Sequence, residues 1–321
     1  MQHLRRQFLN IATLVVLLAL PLIAVARPQP TLYYLDISGR ILTASSDGTH
    51  VAVVAKDLGS GPDGIVIDGA NRHLYWTSMG KASANDGKIS RIDFDGTHLT
   101  TIVPAGGTFT PKQLKIDLAN RKLYWSDREG MRVMRANMDG SDVEALIVTG
   151  TGEADRKNQA NWCVGIALDI AAGKIYWTQK GGDNAHRGTI KRANLDIPKG
   201  EDAAHRSDVE VLFAGLPEPI DMDLDLKKRV MYWTDRGDNT VSRAPMDNKA
   251  NIDPNKRTDR EILVTGLHEA IGIALDLRHN QMYYTALHGD LGTAKLNGKD
   301  ARTLLSKQGT LTGIALLDSV K

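Results

Sequence analysis

Short apolar runs recur along the chain in a fixed order. The first kind is rich in Ile, Leu and Ala and closes on aspartate: GIVID at 64–68, QLKID at 113–117, GIALD at 165–169, DMDLD at 221–225 and GIALD at 272–276. A polar turn then leads into an aromatic run, YYLD at 33–36, YWTS at 75–78, YWSD at 124–127, YWTQ at 176–179, YWTD at 232–235 and YYTA at 283–286. Two strands joined by so short a turn predict an antiparallel hairpin. A third run such as KISRIDFDG and a fourth such as REILVTGL follow, with the period of two expected of half-buried strands. The aromatic runs begin 42 to 56 residues apart, which suits one four-stranded propeller blade. No long stretch carries a helical period.

The first aromatic run starts at Thr31 without an apolar partner before it, and GIALL at 313–317 has no aromatic run after it. These orphans match. The C-terminal strand is therefore expected to enter the first blade as its innermost strand, closing the ring and hiding edges that invite aggregation. The expected fold is all-β, a six-bladed β-propeller of four-stranded antiparallel blades over residues 31–321.

Composition changes this picture at the N-terminus. Arg5 and Arg6 precede an apolar run over 8–25, and Ala24-Val25-Ala26 offers a signal-peptidase site. Residues 1–26 read as a signal peptide and 27–30 as a short linker, which predicts a secreted or periplasmic protein with no stable membrane span after cleavage. A retained anchor is the alternative; the run is short and interrupted by Pro21. The sole cysteine, Cys163, excludes an intrachain disulfide framework. With Lys+Arg 40 against Asp+Glu 38, the net charge of +2 predicts no nucleic-acid surface. A monomer is expected.

The repeated D-x-x-x-x-x-x-YW-[TS]-[DSQ] and I-x-R-x-x-x-D-G units resemble the YWTD propeller repeat family, best known from the class B repeats of lipoprotein receptors. The resemblance spans about 31–317. It implies a six-bladed propeller, and often protein or peptide recognition on one face. The cysteine-rich modules of receptor propellers are missing, so cargo-receptor biology is not implied. The fourth motif residue is Asp36, Asp127 and Asp235 in three blades but Ser78, Gln179 and Ala286 in the others, so any inter-blade network through it must be incomplete or differently satisfied.

Repetition also serves as an internal control: residues found in nearly every blade are scaffold, and a polar residue in one blade at a normally apolar position has a local task. Trp76, Trp125, Trp177 and Trp233 share one motif position and read as inter-blade core. Arg91, Arg135, Arg192 and Arg243 read as braces to carboxylates or turn carbonyls. In the inner strands, Lys115 and Asp223 stand where other blades have Val66, Ala167, Ala274 and Ala315, and they are expected to form an ion pair on the axis, structural or part of a central site. Asp221 replaces the Gly of other blades; with Asp63, Glu218 and Glu269 it is expected to make the channel entrance acidic. Bound calcium has weak support there, since no compact calcium loop is present.

Insertions at 79–87, 149–161 and 180–188 all leave on one face, which is the expected recognition surface, with Trp162 at its inner lip as an aromatic anchor or a packing residue. Connections 197–207 and 247–260 leave by the opposite face and read as solvated linkers, with a second docking surface as the alternative. A peptide, protein or small polar ligand is expected to bind at Asp63, Lys115, Trp162, Asp221, Asp223 and Glu269. The alternative is a cofactor-independent hydrolase or lyase at the central channel, resembling lactonase or strictosidine-synthase-like propellers, with His268 or Glu269 as base and Lys115 as electrostatic stabiliser. A third reading is an interaction domain without a concave site. No cofactor is expected: no serine elbow, phosphate-binding loop, dinucleotide glycine fingerprint or zinc motif is read in the chain.

Overall fold

In a computed structural model of the protein, residues 29–59, 61–248 and 251–318 are described. The signal-peptide expectation at 1–26 lies outside them. The alternating runs form twenty-four strands, β1 to β24 in chain order, arranged as six four-stranded antiparallel sheets. Blade I takes its innermost strand from the far end of the chain: β24 (Leu311–Leu317) pairs with β1 (Thr31–Asp36), which continues to β2 (Arg40–Ser45) and β3 (Ala52–Ala55). The closure expected from the orphan runs is thus present.

Blades II to VI run from axis to rim in chain order. Their inner strands are β4 (Pro62–Asp68), β8 (Pro111–Asp117), β12 (Cys163–Asp169), β16 (Pro219–Asp225) and β20 (Ala270–Asp276). The aromatic strands β5 (His73–Ser78), β9 (Lys122–Asp127), β13 (Lys174–Gln179), β17 (Val230–Asp235) and β21 (Gln281–Ala286) lie against them and are buried at every position but the first. Trp76, Trp125, Trp177 and Trp233 are at most 1% exposed, as their repetition predicts. Among the described residues helix is confined to α1 (Gly152–Arg156) and two short 3-10 turns.

The joints between blades explain the motif. The third motif residue is the brace: the Thr178 hydroxyl accepts the Gly165 N–H of its own blade at 2.7 Å and donates to the Ile220 carbonyl of the next at 2.7 Å. Thr77 and Thr234 reach Lys112 and Ile271 in the same way, at 2.7 and 2.6 Å. Blade I has Leu35 at this place, and Thr312 on its inner strand donates to the Pro62 carbonyl at 2.8 Å instead. Glycine at 64, 165, 272 and 313 is required because neighbouring inner strands touch there. A Cβ on Gly165 would sit 2.1 Å from the Ile220 carbonyl oxygen, and one on Gly313 2.1 Å from that of Asp63.

Aspartates act mainly on turns. Asp68, Asp117, Asp169, Asp225 and Asp276 each accept the N–H three residues onward at 2.9–3.1 Å, closing the turn into the aromatic strand. The fourth motif residue holds the loop entering its own blade: Asp127 accepts from Thr110 N, Asp235 from Glu218 N and Asp36 from Thr310 N. Gln179 substitutes by donating to the Ala160 carbonyl at 2.6 Å. Arg135 and Arg192 bridge to Asp196 and Asp247 of the following blades, and Arg243 to the Leu296 carbonyl, while Arg91 makes no ion pair among the described residues.

The connections at 197–207 and 247–260 are exposed over most of their described residues, as expected of solvated linkers, but each sends one arginine inward. Arg206 is buried and donates to the Leu146 carbonyl of blade III, and Arg257 is buried, stacks 4.0 Å from the Phe213 ring centroid and donates to the Leu212 carbonyl of blade IV. Arg206 and Arg257 each reach the outer strand of the preceding blade, where unpaired strand groups need partners.

Candidate functional site

The inner strands all run from the long-loop face to the short-turn face, so the central channel has two mouths. At the long-loop mouth, the residue following each aromatic strand arrives in turn: Ile37, Met79, Arg128, Lys180, Arg236 and Leu287. Beneath this ring lie side chains from the second position of the inner strands, among them Lys112, Val164, Ile220, Ile271 and Thr312. Together with Glu218 they enclose about 180 Å³. Blades III to V contribute cations and blades I, II and VI aliphatic side chains.

The cations are held by counter-ions set behind them. Arg128 makes a two-pronged contact with Glu129 at 2.8 and 2.5 Å. Burial alone would raise Glu129, but these bonds outweigh it and hold the carboxyl below its ordinary range. Glu218 is 2% exposed and accepts from Lys180 at 2.6 Å and from Arg236 at 2.7 Å. Asp183, on the 180–188 insertion, accepts from the same two cations at 3.0 and 2.7 Å, and the Lys180 contact keeps it low. Lys112 pairs with the fully buried Asp63, which also accepts from Gln113 at 3.0 Å; burial draws the Lys112 ammonium down, with Asp63 opposing.

Trp162 follows the 3-10 turn Gln159–Asn161 and closes the lip above Arg128 and Lys180, whose charged ends lie 5.0 and 5.5 Å from its ring. Its indole N–H donates to the Arg156 carbonyl at 2.8 Å, so the 149–161 insertion is folded onto the mouth. Glu269 is half-exposed at the rim; its backbone takes a φ of 59°, its N–H donates to Asn239 Oδ1 at 2.9 Å, and its carboxylate lies 3.9 Å from Arg236.

Lys115 and Asp223 do form the expected pair, with Nζ and Oδ1 3.8 Å apart, but at the other mouth. Asp223 also accepts from Leu224 N at 3.0 Å and Leu275 N at 3.2 Å. Burial draws Lys115 down, and the Asp223 and Asp221 carboxylates more than offset it. Asp221 lies between the mouths, 2% exposed in the channel wall, where it accepts from Met222 N at 2.8 Å and Ile273 N at 3.1 Å. Burial pushes its carboxyl up to about 7.

The six candidate binding residues are therefore not one constellation. Asp63 and Asp221 are buried joints, Trp162 and Glu269 belong to the long-loop mouth, and Lys115 and Asp223 belong to the short-turn mouth. The acidic entrance expected from Asp63, Asp221, Glu218 and Glu269 is corrected: the heads lining it are four cations and one carboxylate, because Asp63 and Asp221 turn into the wall and only Glu269 stands at the rim. The catalytic alternative is also divided, since His268 and Glu269 precede the inner strand of blade VI while Lys115 is the fifth residue of β8. That places them about 16 Å apart along the channel at ~3.3 Å per residue. His268 is exposed and its ring faces His288 at 5.4 Å.

The cations Arg128, Lys180 and Arg236 were missed, although the signal was available: the residue after each aromatic motif reads Ile, Met, Arg, Lys, Arg, Leu. A glycine string was missed as well, since Gly59 to Gly64 has the G-x-G-x-x-G spacing. It leads into inner strand β4 and not into a helix, so it has no helix N-terminus to cradle a pyrophosphate. Cys163 is buried, and burial pushes its thiol up to about 12. Among the described residues no group of three or more His, Cys, Asp or Glu is placed to hold a metal ion, and no helix is long and apolar enough to cross a membrane.

No family model matches the chain. Among curated proteins it is 40% identical over 288 residues to "3-hydroxyacyl-CoA dehydrogenase-like protein LAM1" of Cochliobolus heterostrophus, covering 87% of this chain and 60% of that protein. It is 40% identical over 312 residues to "Low-density lipoprotein receptor-related protein 1" of Pyricularia oryzae, covering 91% of this chain and 99% of that protein. Among solved structures, a chain of a nidogen/laminin complex superposes with a TM-score of 0.68 at 20% identity, over 91% of this chain and 99% of that one. The last comparison bears on the fold alone.

Proposed function

The chain belongs to the same family as the Pyricularia oryzae protein named "Low-density lipoprotein receptor-related protein 1", and from that premise we propose that it is a binding propeller whose long-loop mouth takes a peptide, a protein loop or a small polar ligand. The split ring carries this reading: Arg128, Lys180 and Arg236 on one half, Ile37, Met79 and Leu287 on the other. Such a mouth suits a ligand that presents an anionic group beside an aliphatic one, recognised by charge-assisted hydrogen bonds and apolar contact together. A rigid ring limits the conformational entropy lost on binding. The solved nidogen/laminin complex is a protein assembly, which agrees with a protein or peptide partner here. The arginines and apolar run of the first residues, ending in Ala24-Val25-Ala26, support a secreted or periplasmic setting.

Ligand-dependent thermal stabilisation over peptides, sugars, metabolites and divalent cations tests the proposal, repeated with Arg128→Ala and Trp162→Ala. A shift seen with the parent protein and lost in both folded variants is expected. A shift that survives both substitutions, or no shift across the panel, would overturn the reading.

A further inference from the structure

The short-turn mouth is wider than the long-loop one, about 540 Å³, within the range of small-molecule sites. Its inner walls are aliphatic, built by Ile67, Ile116, Leu275 and Leu316 from the sixth position of the inner strands, and farther out it is lined by Asp276 and by Arg278 and Asp318, which pair with each other at 3.0 Å. Its floor holds the Lys115–Asp223 pair, where other blades place Val66, Ala274 and Ala315. The apolar lining extends outward at Leu277, which follows the aspartate that ends its inner strand and is 46% exposed; Leu118 and Leu226 hold the same place in blades III and V and are 47% and 40% exposed. Packing does not call for leucine at that place, because Gly69 and Asp318 occupy it in blades II and I. Exposed leucines at one repeat position of three blades, one of them in the lining of the mouth, mark an apolar binding surface.

The floor decides the head group. At 3.8 Å the Lys115 ammonium is beyond hydrogen-bond reach of Asp223, and it donates no hydrogen bond among the described residues. Each carboxylate oxygen of Asp223 accepts only one backbone N–H. An oxygen set beside the gap can accept from Lys115 and donate to Asp223. The two charges balance, so an anionic head would meet Asp223 and a cationic head Lys115. We propose that the short-turn mouth is a second ligand site, which takes a neutral amphiphile with an aliphatic body and a single hydroxyl or amide head bridging Lys115 and Asp223.

Calorimetric titration of the purified full chain with octanol, octanoate and octylammonium tests this. Octanol is expected to bind saturably, about tenfold tighter than either ion, the ratio set by roughly 1.4 kcal/mol of unbalanced charge. Lys115→Met leaves Asp223 unneutralised and is expected to invert the order, with octylammonium overtaking octanol. Ala315→Phe, which fills the funnel, is expected to abolish binding of all three, and Trp162→Ala at the other mouth to change none. If Ala315→Phe fails to fold, the inversion in Lys115→Met still decides the matter. No saturable octanol binding, equal affinity for the three amphiphiles, or an unchanged order in Lys115→Met would each overturn the proposal.

Discussion

Replacing Thr178 by valine removes one hydroxyl and keeps the side-chain shape. In the native ring that hydroxyl satisfies the Gly165 N–H of blade IV and the Ile220 carbonyl of blade V, both at 2.7 Å and with Thr178 fully buried. Valine leaves one buried donor and one buried acceptor without a partner, at about 1–3 kcal/mol each. The added methyl returns about 0.8 kcal/mol of apolar burial. The expected loss is therefore roughly 1–5 kcal/mol, centred near 3. Thr178→Ser keeps both hydrogen bonds and loses only a methyl, so it is expected to cost about 1 kcal/mol; Ser126 already fills this place in blade III and reaches the Gly165 carbonyl at 3.0 Å. Urea unfolding followed by tryptophan fluorescence gives both values from the midpoint and slope. A Thr178→Val loss no greater than that of Thr178→Ser would refute the view that the third motif residue joins the blades.

Thr312 makes one such bond from the closing strand to blade II, so Thr312→Val is expected to cost about half as much, roughly 1 kcal/mol, and deletion of 309–321, which removes β24 and exposes an edge of β1, should lower the unfolding midpoint of the whole ring and not of blade I alone, as read by hydrogen exchange across all blades. Asp235 gives a pH dependence: burial, with the Asp238 charge adding to it, pushes its carboxyl up to about 7. The raised value means that its contribution is complete below the unfolded carboxyl range and fades as pH rises toward 7. Asp235→Asn keeps the acceptor for Glu218 N and lacks the titration, so the stability of the variant relative to the parent is expected to grow between about pH 4 and 7, by at most ~1.4 kcal/mol per pH unit, and a flat difference in chemical denaturation would count against it. Cys163, buried and with its thiol pushed up to about 12, is expected to resist iodoacetamide at pH 8 in the native protein and to react once it unfolds, as mass spectrometry would record.

The fold was legible because its signals are local and repeated. Alternation, the aspartate-closed inner run and the aromatic run each depend on neighbours a few residues away, and six copies average out the irregular ones. Even ring closure could be read, since an unpaired run at one end matches an unpaired run at the other. The Lys115–Asp223 pair was found for a related reason: both residues break the same inner-strand position, and positions shared by blades share a level on the axis.

What the sequence could not rank was depth along the channel and the direction of a side chain at a given level. Asp63, Asp221 and Glu269 all looked like mouth carboxylates, yet Asp63 turns to Lys112 and Gln113, Asp221 bonds the backbone of blade VI, and only Glu269 reaches the rim. Those outcomes depend on which backbone N–H or cation the neighbouring blade brings within about 3 Å, and such partners lie some fifty residues away. The sequence by itself determined the number of blades, their strand order and the seam where the ring closes, because these follow from local period and repetition. The tertiary structure alone decided that the channel has a cationic, half-aliphatic mouth on one face and a largely aliphatic one with the Lys115–Asp223 pair at its floor on the other, because a six-residue ring is assembled from six separate repeats and acquires a chemistry only when they meet.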